Sequence, residues 1–572
     1  MKYIKFLLNI LNKKEKIKLI YLGFLMLINT LLELLSIGMI LPVLSILFKE
    51  NLDILPVNLY EIIKNYNQSE LIIYLLSFII LIFILKNLFI LFFHYQQGLY
   101  ARNVQVRIAR ELFGKYIFQS YSFFLQKETG AILRNVNISR SISLCLSSYL
   151  ILTLELIIIL SFFIYLLYLN FISTVVISFI LSLSGVILYK LTKNHLYNWG
   201  ALKQNFEALL NTHIIQSFSL IKNIKIFNKE KKMHDYFNKI FFKHENLNLK
   251  IDILQQIPRG VVEILSILAL SAIIFILTIE GKNALEVISI IAIYAAITFR
   301  LMPSTTKIIA SLQRIKVFGP SIELIQNEYL NLENKSISTN DEKKQKIIFE
   351  SLEFKDVSFN YENSSKKILN ETNIKITHGN IIGIHGVSGS GKSTMVNLIS
   401  GLIRPKSGVI KINNKNLELI KKNWLVSLGY VPQQVTLFNT TVTNNISFFE
   451  NQIEAKELKK KIVNALYKSN SKQFIENLPN REDTLVGEGA SKLSGGQIQR
   501  IGIARALFND PEFLIFDEST NSLDKKNEDE IMNTIYGLKG KKTIIIISHN
   551  MSVLARCDKI YEIKNSKIHQ TR

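Results

Sequence analysis

Apolar positions crowd the first half of the chain into long runs, whereas the second half alternates short strand-like runs with helical ones. A bilayer core about 30 Å thick takes roughly 20 apolar residues in one helix. Six stretches meet that length with few charges: residues 17–48, 71–95, 141–169, 171–191, 261–279 and 284–302. A buried helix of a soluble protein would explain any one of them, but not all together. The first is long enough to tilt or to extend past the membrane. Segments 96–140 and 192–258 are too long for turns and keep helical spacing, so they are expected to continue the membrane helices. Short helices are expected at their tips, residues 121–130 and 222–232. Residues 57–66 have the spacing of one short amphipathic helix, with Leu59, Ile62 and Ile63 on a side.

After the sixth span, residues 331–346 are polar and lose periodicity, which marks a linker. The expected domains are therefore 1–330 in the membrane, 331–346 between, and 347–572 as an α/β unit. Composition agrees with this division, because 48% hydrophobic and 20% charged residues are segregated along the chain. The formal charge of +23 invites a nucleic-acid reading, but much of the excess lies between apolar spans, where it sets topology. Lys2, Lys5, Lys13, Lys14, Lys16 and Lys18 precede or open the first span, and the two long inner segments carry Arg102, Arg107, Arg110, Lys222, Lys225, Lys229, Lys231 and Lys232. Segment 49–70, with Glu50, Asp53, Glu61 and Glu70, faces outward, and both termini are expected in the cytoplasm. The apolar run after the basic N-terminus is too long for a signal-peptide core. Two cysteines, Cys145 and Cys557, are too few for a disulfide framework or a zinc site.

Residues 386–394 read GVSGSGKST and follow the apolar run Ile381, Ile382, Gly383, Ile384. Gly386, Val387, Ser388, Gly389, Ser390, Gly391 and Thr394 form a loop whose backbone N–H groups close on phosphate oxygens. Lys392 brings a charge to the outer phosphates, and the Ser393 hydroxyl suits magnesium. A second apolar run, residues 513–516, ends in Asp517, suited to magnesium, and Glu518, suited to polarising water. Leu493, Ser494, Gly495, Gly496 and Gln497 stand shortly before it.

With LSGGQ at that place the sequence resembles the ABC transporter family over nearly its whole length. The resemblance implies that Tyr361 stacks on adenine and that Gln433 joins magnesium to the membrane domain. It also makes Asp524 the D-loop aspartate and His549 the switch residue near the γ-phosphate. The catalytic set it implies is Glu518, His549, Lys392 and Gln433, with ATP and Mg2+ as cofactors; Ser393, Gln433 and Asp517 hold the metal. Two departures touch coupling between sites: residues 484–490 read TLVGEGA, losing the usual last glycine, and the D-loop reads NSLD. The fold implied is an all-α six-helix exporter domain followed by an α/β P-loop nucleotide-binding domain. In the family the phosphate loop of one subunit faces the signature of another, so a second copy of the chain is the expected partner.

Charges inside apolar spans cost about 2.5 to 3.5 kcal/mol each on insertion scales, so Lys86, Arg259 and Arg300 call for a purpose. Snorkelling to an interface suits Arg259 and Arg300 by position, and Glu33, Glu155 and Glu263 are candidates to neutralise the cations. Facing a cavity, the three cations suit a phosphate-bearing substrate. The outward helix and the run Phe299 to Ser304 resemble the lipid-linked oligosaccharide flippases of bacterial protein N-glycosylation. That resemblance implies an inner-membrane protein among membrane lipids that moves an undecaprenyl-pyrophosphate glycan to the periplasmic side. Export of another lipid, a peptide or a drug is the alternative, and an ATP-gated channel is the alternative of another class. ABC ATPases that act on DNA or ribosomes lack such spans, so no nucleic-acid partner is expected.

Overall fold

The computed structural model describes residues 2–39, 68–169, 171–279, 284–332, 345–361, 366–450, 452–519 and 525–572. The expected amphipathic helix at 57–66, most of the linker and Asp524 lie outside the described residues. The chain divides into two compact units, Met1–Gln119 with Gln126–Ile337 and Ser120–Leu125 with Ser338–Arg572.

The first unit is helical: α1 Lys2–Ile10, α2 Lys13–Gly38, α3 Gln68–Ile117, α5 Thr129–Asn137, α6 Ser139–Leu169, α7 Phe171–Ser219, α9 Glu230–Ile279 and α10 Ala284–Asn331. Two short helices, α4 Tyr121–Gln126 and α8 Ile221–Ile226, fall at the expected tips. Each expected span from the second onward lies inside one helix; span 141–169 nearly fills α6, and the other helices run on well beyond their spans, because helical spacing continues past the apolar stretch. The start of α2 is written locally. Asn12 Oδ1 accepts from Glu15 N at 2.9 Å while Glu15 Oε2 accepts from Asn12 N at 3.0 Å, a reciprocal cap, and Arg107 grips the same carboxylate at 2.7 and 2.8 Å.

Among the described residues, four helical segments are long and apolar enough to cross a membrane: Lys13–Gly38, Leu76–Ile117, Thr129–Leu167 and Glu230–Ala272. Their outer faces agree, since Ile80, Leu81, Ile84, Leu85, Leu88 and Leu91 of α3 are all exposed, which water does not tolerate over such an area. Inside, the helices touch closely. A Cβ on Gly200 of α7 would lie 2.3 Å from the Val317 carbonyl oxygen of α10, beside a small core of Leu196, Ile251 and Val317. Pro258 within α9 has no N–H for the carbonyl of Leu254, and the Gln313 amide of α10 donates to that oxygen at 3.4 Å.

The second unit holds two sheets. β1 Ser351–Phe359, β2 Leu369–Thr377, β4 Ser407–Ile412 and β5 Lys415–Asn416 pair antiparallel in the order β2-β1-β4-β5. β3 Ile381–His385, β6 Leu428–Val431, β7 Phe513–Asp517, β8 Thr543–Ile547, β9 Lys559–Lys564 and β10 Lys567–Gln570 form the other, in the order β10-β9-β3-β8-β7-β6. Only its β9-β10 hairpin is antiparallel. The continuous apolar runs of β7 and β8 are buried at every position, as central parallel strands covered on both faces require. Phe349, Trp424 and Phe513 close one face of this core, and the Trp424 indole donates to the Ile399 carbonyl at 2.8 Å. Helices α11 Lys392–Ile399 and α12 Leu417–Ser427 follow β3 and β5, and a helical lobe built on α13 Val442–Ser447, α14 Ala455–Lys468, α15 Lys472–Glu476 and α16 Gly495–Leu507 packs through Val442, Ile446, Ile462, Leu466, Ile501 and Phe508.

Candidate functional site

Parallel register carries the functional residues to one edge. Ile384 of β3 and Asp517 of β7 both pair with Ile547 at the end of β8, and Val431 of β6 pairs with Phe516. The segments that leave these strands therefore emerge together at the carboxyl end of the sheet, where open α/β sheets bind ligands.

After β3 the chain enters the glycine loop and then α11 Lys392–Ile399. Gly391 caps that helix with φ 110°, and a Cβ there would stand 2.7 Å from Ile368 Cγ2; a Cβ on Gly386 would stand 2.6 Å from the Ile563 carbonyl oxygen. The backbone can turn so tightly only with glycine at both places. The Ser390 hydroxyl is buried with no partner among the described residues, inside a loop rich in backbone donors. Such a cradle, opening a helix, fits a phosphate group.

Lys392 is almost fully buried and bends back over the loop, its Nζ 2.8 Å from the Gly386 carbonyl and 3.3 Å from that of Val387. Glu518 collects the rest of the machinery. Gln433 Nε2 donates to its Oε2 at 2.8 Å, His549 Nε2 lies 2.8 Å from its Oε1, and Lys392 Nζ stands 3.7 Å from Oε1. Lys392 Nζ is also 3.1 Å from His549 Nε2. That nitrogen cannot accept from lysine and donate to the carboxylate at once. Assigning its proton toward Glu518 leaves Lys392 donating to the loop carbonyls, which satisfies every group. Glu518 itself has φ 47°, a left-handed conformation that a glutamate adopts only under constraint.

Asp517 ends β7 almost buried and accepts from the Tyr430 hydroxyl at 3.3 Å. Burial, then the neighbouring Glu518 charge, push its carboxyl above the usual carboxylate range, against the pull of the Tyr430 hydrogen bond and Lys392. A carboxylate held at such a cost fits a divalent cation as its counter-charge, and Ser393 and Gln433 add neutral oxygens suited to a hard metal. Burial and Asp517 in turn raise the Tyr430 phenol. Tyr361 donates to or accepts from Thr394 Oγ1 at 3.2 Å and packs edge-on against Phe359. Ser494 and Gln497 cap α16 reciprocally, with Ser494 N to Gln497 Oε1 at 2.9 Å and Gln497 N to Ser494 Oγ at 3.3 Å, so the signature begins a helix.

The residues 369–521 match the ABC transporter family, and residues 26–303 match the ABC transporter transmembrane region. The chain is an ABC half-transporter of the exporter type. It is 28% identical over 482 residues to the ATP-dependent lipid A-core flippase of Haemophilus influenzae (strain 86-028NP), covering 82% of this chain and 79% of that protein. It is 29% identical to the protein of the same name from Mannheimia succiniciproducens, again over 82% and 79%. The structure of a bacterial Atm1-family ABC exporter with ATP bound shares the fold at TM-score 0.77 and 19% identity, over 97% of this chain and 95% of that one. The half-transporter hydrolyses ATP and couples hydrolysis to translocation, and its membrane unit precedes its ATPase as expected.

In the membrane unit Lys86 and Arg300 meet on Glu33, which sequence reasoning had as a candidate neutraliser. The two cations thus share one carboxylate, since a desolvated cation must find an anion, and Arg300 stays partly exposed beside it. Arg259 and Glu263 are exposed, and the ion pairs of Lys86 and Arg300 among the described residues involve neither. Sequence reasoning missed Tyr430 and Lys307. Lys307 was visible as the residue two helical turns beyond Arg300, on the same face.

Proposed function

We propose that two copies of this chain form an ATP-driven exporter that moves a phosphate-bearing lipid from the cytoplasmic leaflet of a bacterial inner membrane outward, with both termini in the cytoplasm. The observation that carries the reading is the set of cations on the apolar helices, Lys86 9% and Arg300 18% exposed at their side chains, in a chain whose relatives are named lipid A-core flippases. Those names favour another lipid over the lipid-linked oligosaccharide that the sequence suggested.

At the nucleotide site, Tyr361 stacks on the base and the loop from Gly386 to Thr394 takes the phosphates. Lys392 exchanges its carbonyl partners for phosphate oxygens, which bring the charge that the carbonyls lack. Glu518, held between Gln433 and His549, polarises the attacking water. Ser393, Gln433 and Asp517 would hold a magnesium ion, whose charge would offset that of the outer phosphates. Ser494 to Gln497 and Asp524 serve the site of the second copy.

The test is ATP hydrolysis by the purified, reconstituted protein, titrated with a phosphorylated lipid and its dephosphorylated analogue. Stimulation by the phosphorylated lipid alone is expected. Arg300→Gln should raise its half-saturating concentration about tenfold, the scale of one charge-assisted contact, with Arg300→Lys between and Arg259→Gln affected less. Equal stimulation by both lipids, or stimulation by a peptide or drug instead, would overturn the phosphate reading.

A further inference from the structure

The cations of the membrane unit belong to a line of alternating charge. Lys86 Nζ lies 3.3 Å from Glu33 Oε2 and 4.6 Å from the centre of the Phe83 ring. Arg300 grips the same carboxylate with Nε and Nη2, each at 2.8 Å, and its Nη1 donates to Ser304 Oγ at 2.9 Å. The Ser304 hydroxyl donates to Glu155 Oε2 at 2.6 Å, and Glu155 Oε1 accepts from Lys307 Nζ at 2.8 Å. Four helices, α3, α2, α10 and α6, contribute to this line.

Its exposure is graded. The Glu33 and Glu155 side chains are 2% exposed, Arg300 18% and Lys307 50%. Arg300, Ser304 and Lys307 recur at helical spacing, so the two cations share one face of α10 with the hydroxyl between them. The anions are sealed behind, and the cations form the open edge. Lys86, Arg300 and Lys307 also outnumber the two carboxylates, so the line keeps one positive charge in excess. A strut built only for stability would bury both members of each pair and balance them. An arrangement with tethered anions behind and open cations in front suits exchange, because an anion arriving at the edge competes for N–H groups already desolvated and aimed.

We propose that Glu33 and Glu155 are resident counter-ions: positioning residues that hold Arg300 and Lys307 until a lipid phosphate takes over their N–H groups, and that reclaim them when the lipid leaves. The proposal rests on the phosphate-bearing lipid read above. Binding is weakened by the competing carboxylate, which is what release on the far side needs, since a carrier must let go of what it binds.

The experiment uses the full chain in nanodiscs of phosphatidylcholine with a graded fraction of dioleoyl phosphatidic acid, and dioleoylglycerol as the phosphate-free control. Lipid-stimulated ATP hydrolysis is read as a half-saturating fraction and a maximal rate. With the competitor neutralised, Glu33→Gln should lower the half-saturating fraction of phosphatidic acid about tenfold and also lower the maximal rate, because release slows. Glu33→Asp keeps the charge on a shorter arm and should lower the half-saturating fraction about threefold; it decides the matter alone if the glutamine variant does not fold. A structural role would reduce the melting temperature and the maximal rate without tightening the response. Parental or weaker affinity in folded Glu33→Asp overturns the counter-ion role while leaving the lipid reading intact. No preference of the parent for phosphatidic acid over dioleoylglycerol overturns the lipid reading and this inference with it.

Discussion

Glu518→Gln is expected to cut ATP turnover by about a hundredfold or more while ATP binding persists, as loss of a positioned base commonly does. The carboxylate stands where β7 ends, takes hydrogen bonds at 2.8 Å from both Gln433 and His549, and is held at φ 47°. Glutamine keeps the length and one acceptor oxygen, so the phosphate loop and Lys392 are left whole. What it lacks is the basic oxygen. Nucleotide-binding and turnover measurements on the same preparation separate the two effects, and near-parental turnover would move the role to another residue, His549 first.

Gly200→Ala should be as damaging to the membrane unit as Glu518→Gln is to chemistry. The added methyl would sit 2.3 Å from the Val317 carbonyl oxygen and 3.1 Å from its carbon. Both are backbone atoms of a packed helix, so α7 and α10 must separate, at a cost of about 1 to 3 kcal/mol or more for overpacking. Gly98→Ala is the matched control, because a Cβ at that position of α3 meets nothing within 4 Å. Thermal melting of the detergent-purified protein should fall by several degrees for Gly200→Ala and scarcely move for Gly98→Ala. Equal melting of the two variants would contradict the close α7–α10 contact.

Local pattern carried most of the architecture. Apolar runs marked the long helices, and the strands before Gly386 and Asp517 were visible as short apolar stretches that became β3 and β7. Helix α1 escaped notice because it is 9 residues long, too short for a span, although Asn12 and Glu15 already spelled the cap that separates it from α2. At the nucleotide site the ordered motifs named Lys392, Gln433, Glu518 and His549, since a phosphate site is written in contiguous loops. The hydrogen bond from Tyr430 to Asp517 was not visible, because it depends on the pairing of β6 with β7.

The intramembrane charges show the opposite case. Glu33 and Arg300 are 267 residues apart, and only the packing of α2 against its neighbours brings their side chains to 2.8 Å. Sequence alone leaves open whether such a cation faces a cavity, an interface or an anion. The low-dielectric interior favours the anion. The exposed edge at Arg300 and Lys307 is what keeps a role for the cations toward lipid, and that feature belongs to the tertiary structure alone.

The central claim, ATP-driven movement of a phosphate-bearing lipid across the bilayer, is tested most directly in proteoliposomes loaded with a fluorescent phosphorylated lipid. Only molecules with the nucleotide-binding unit outside are energised when ATP is added to the outside. Quenching then reports how much lipid leaves the outer leaflet, which corresponds to the cytoplasmic one. Loss of outer-leaflet lipid that requires ATP, stops in Glu518→Gln and is absent for the dephosphorylated lipid is the predicted result. Lipid movement that equilibrates both leaflets and persists in Glu518→Gln would show a gated channel, and no ATP-dependent movement of the phosphorylated lipid would contradict the account.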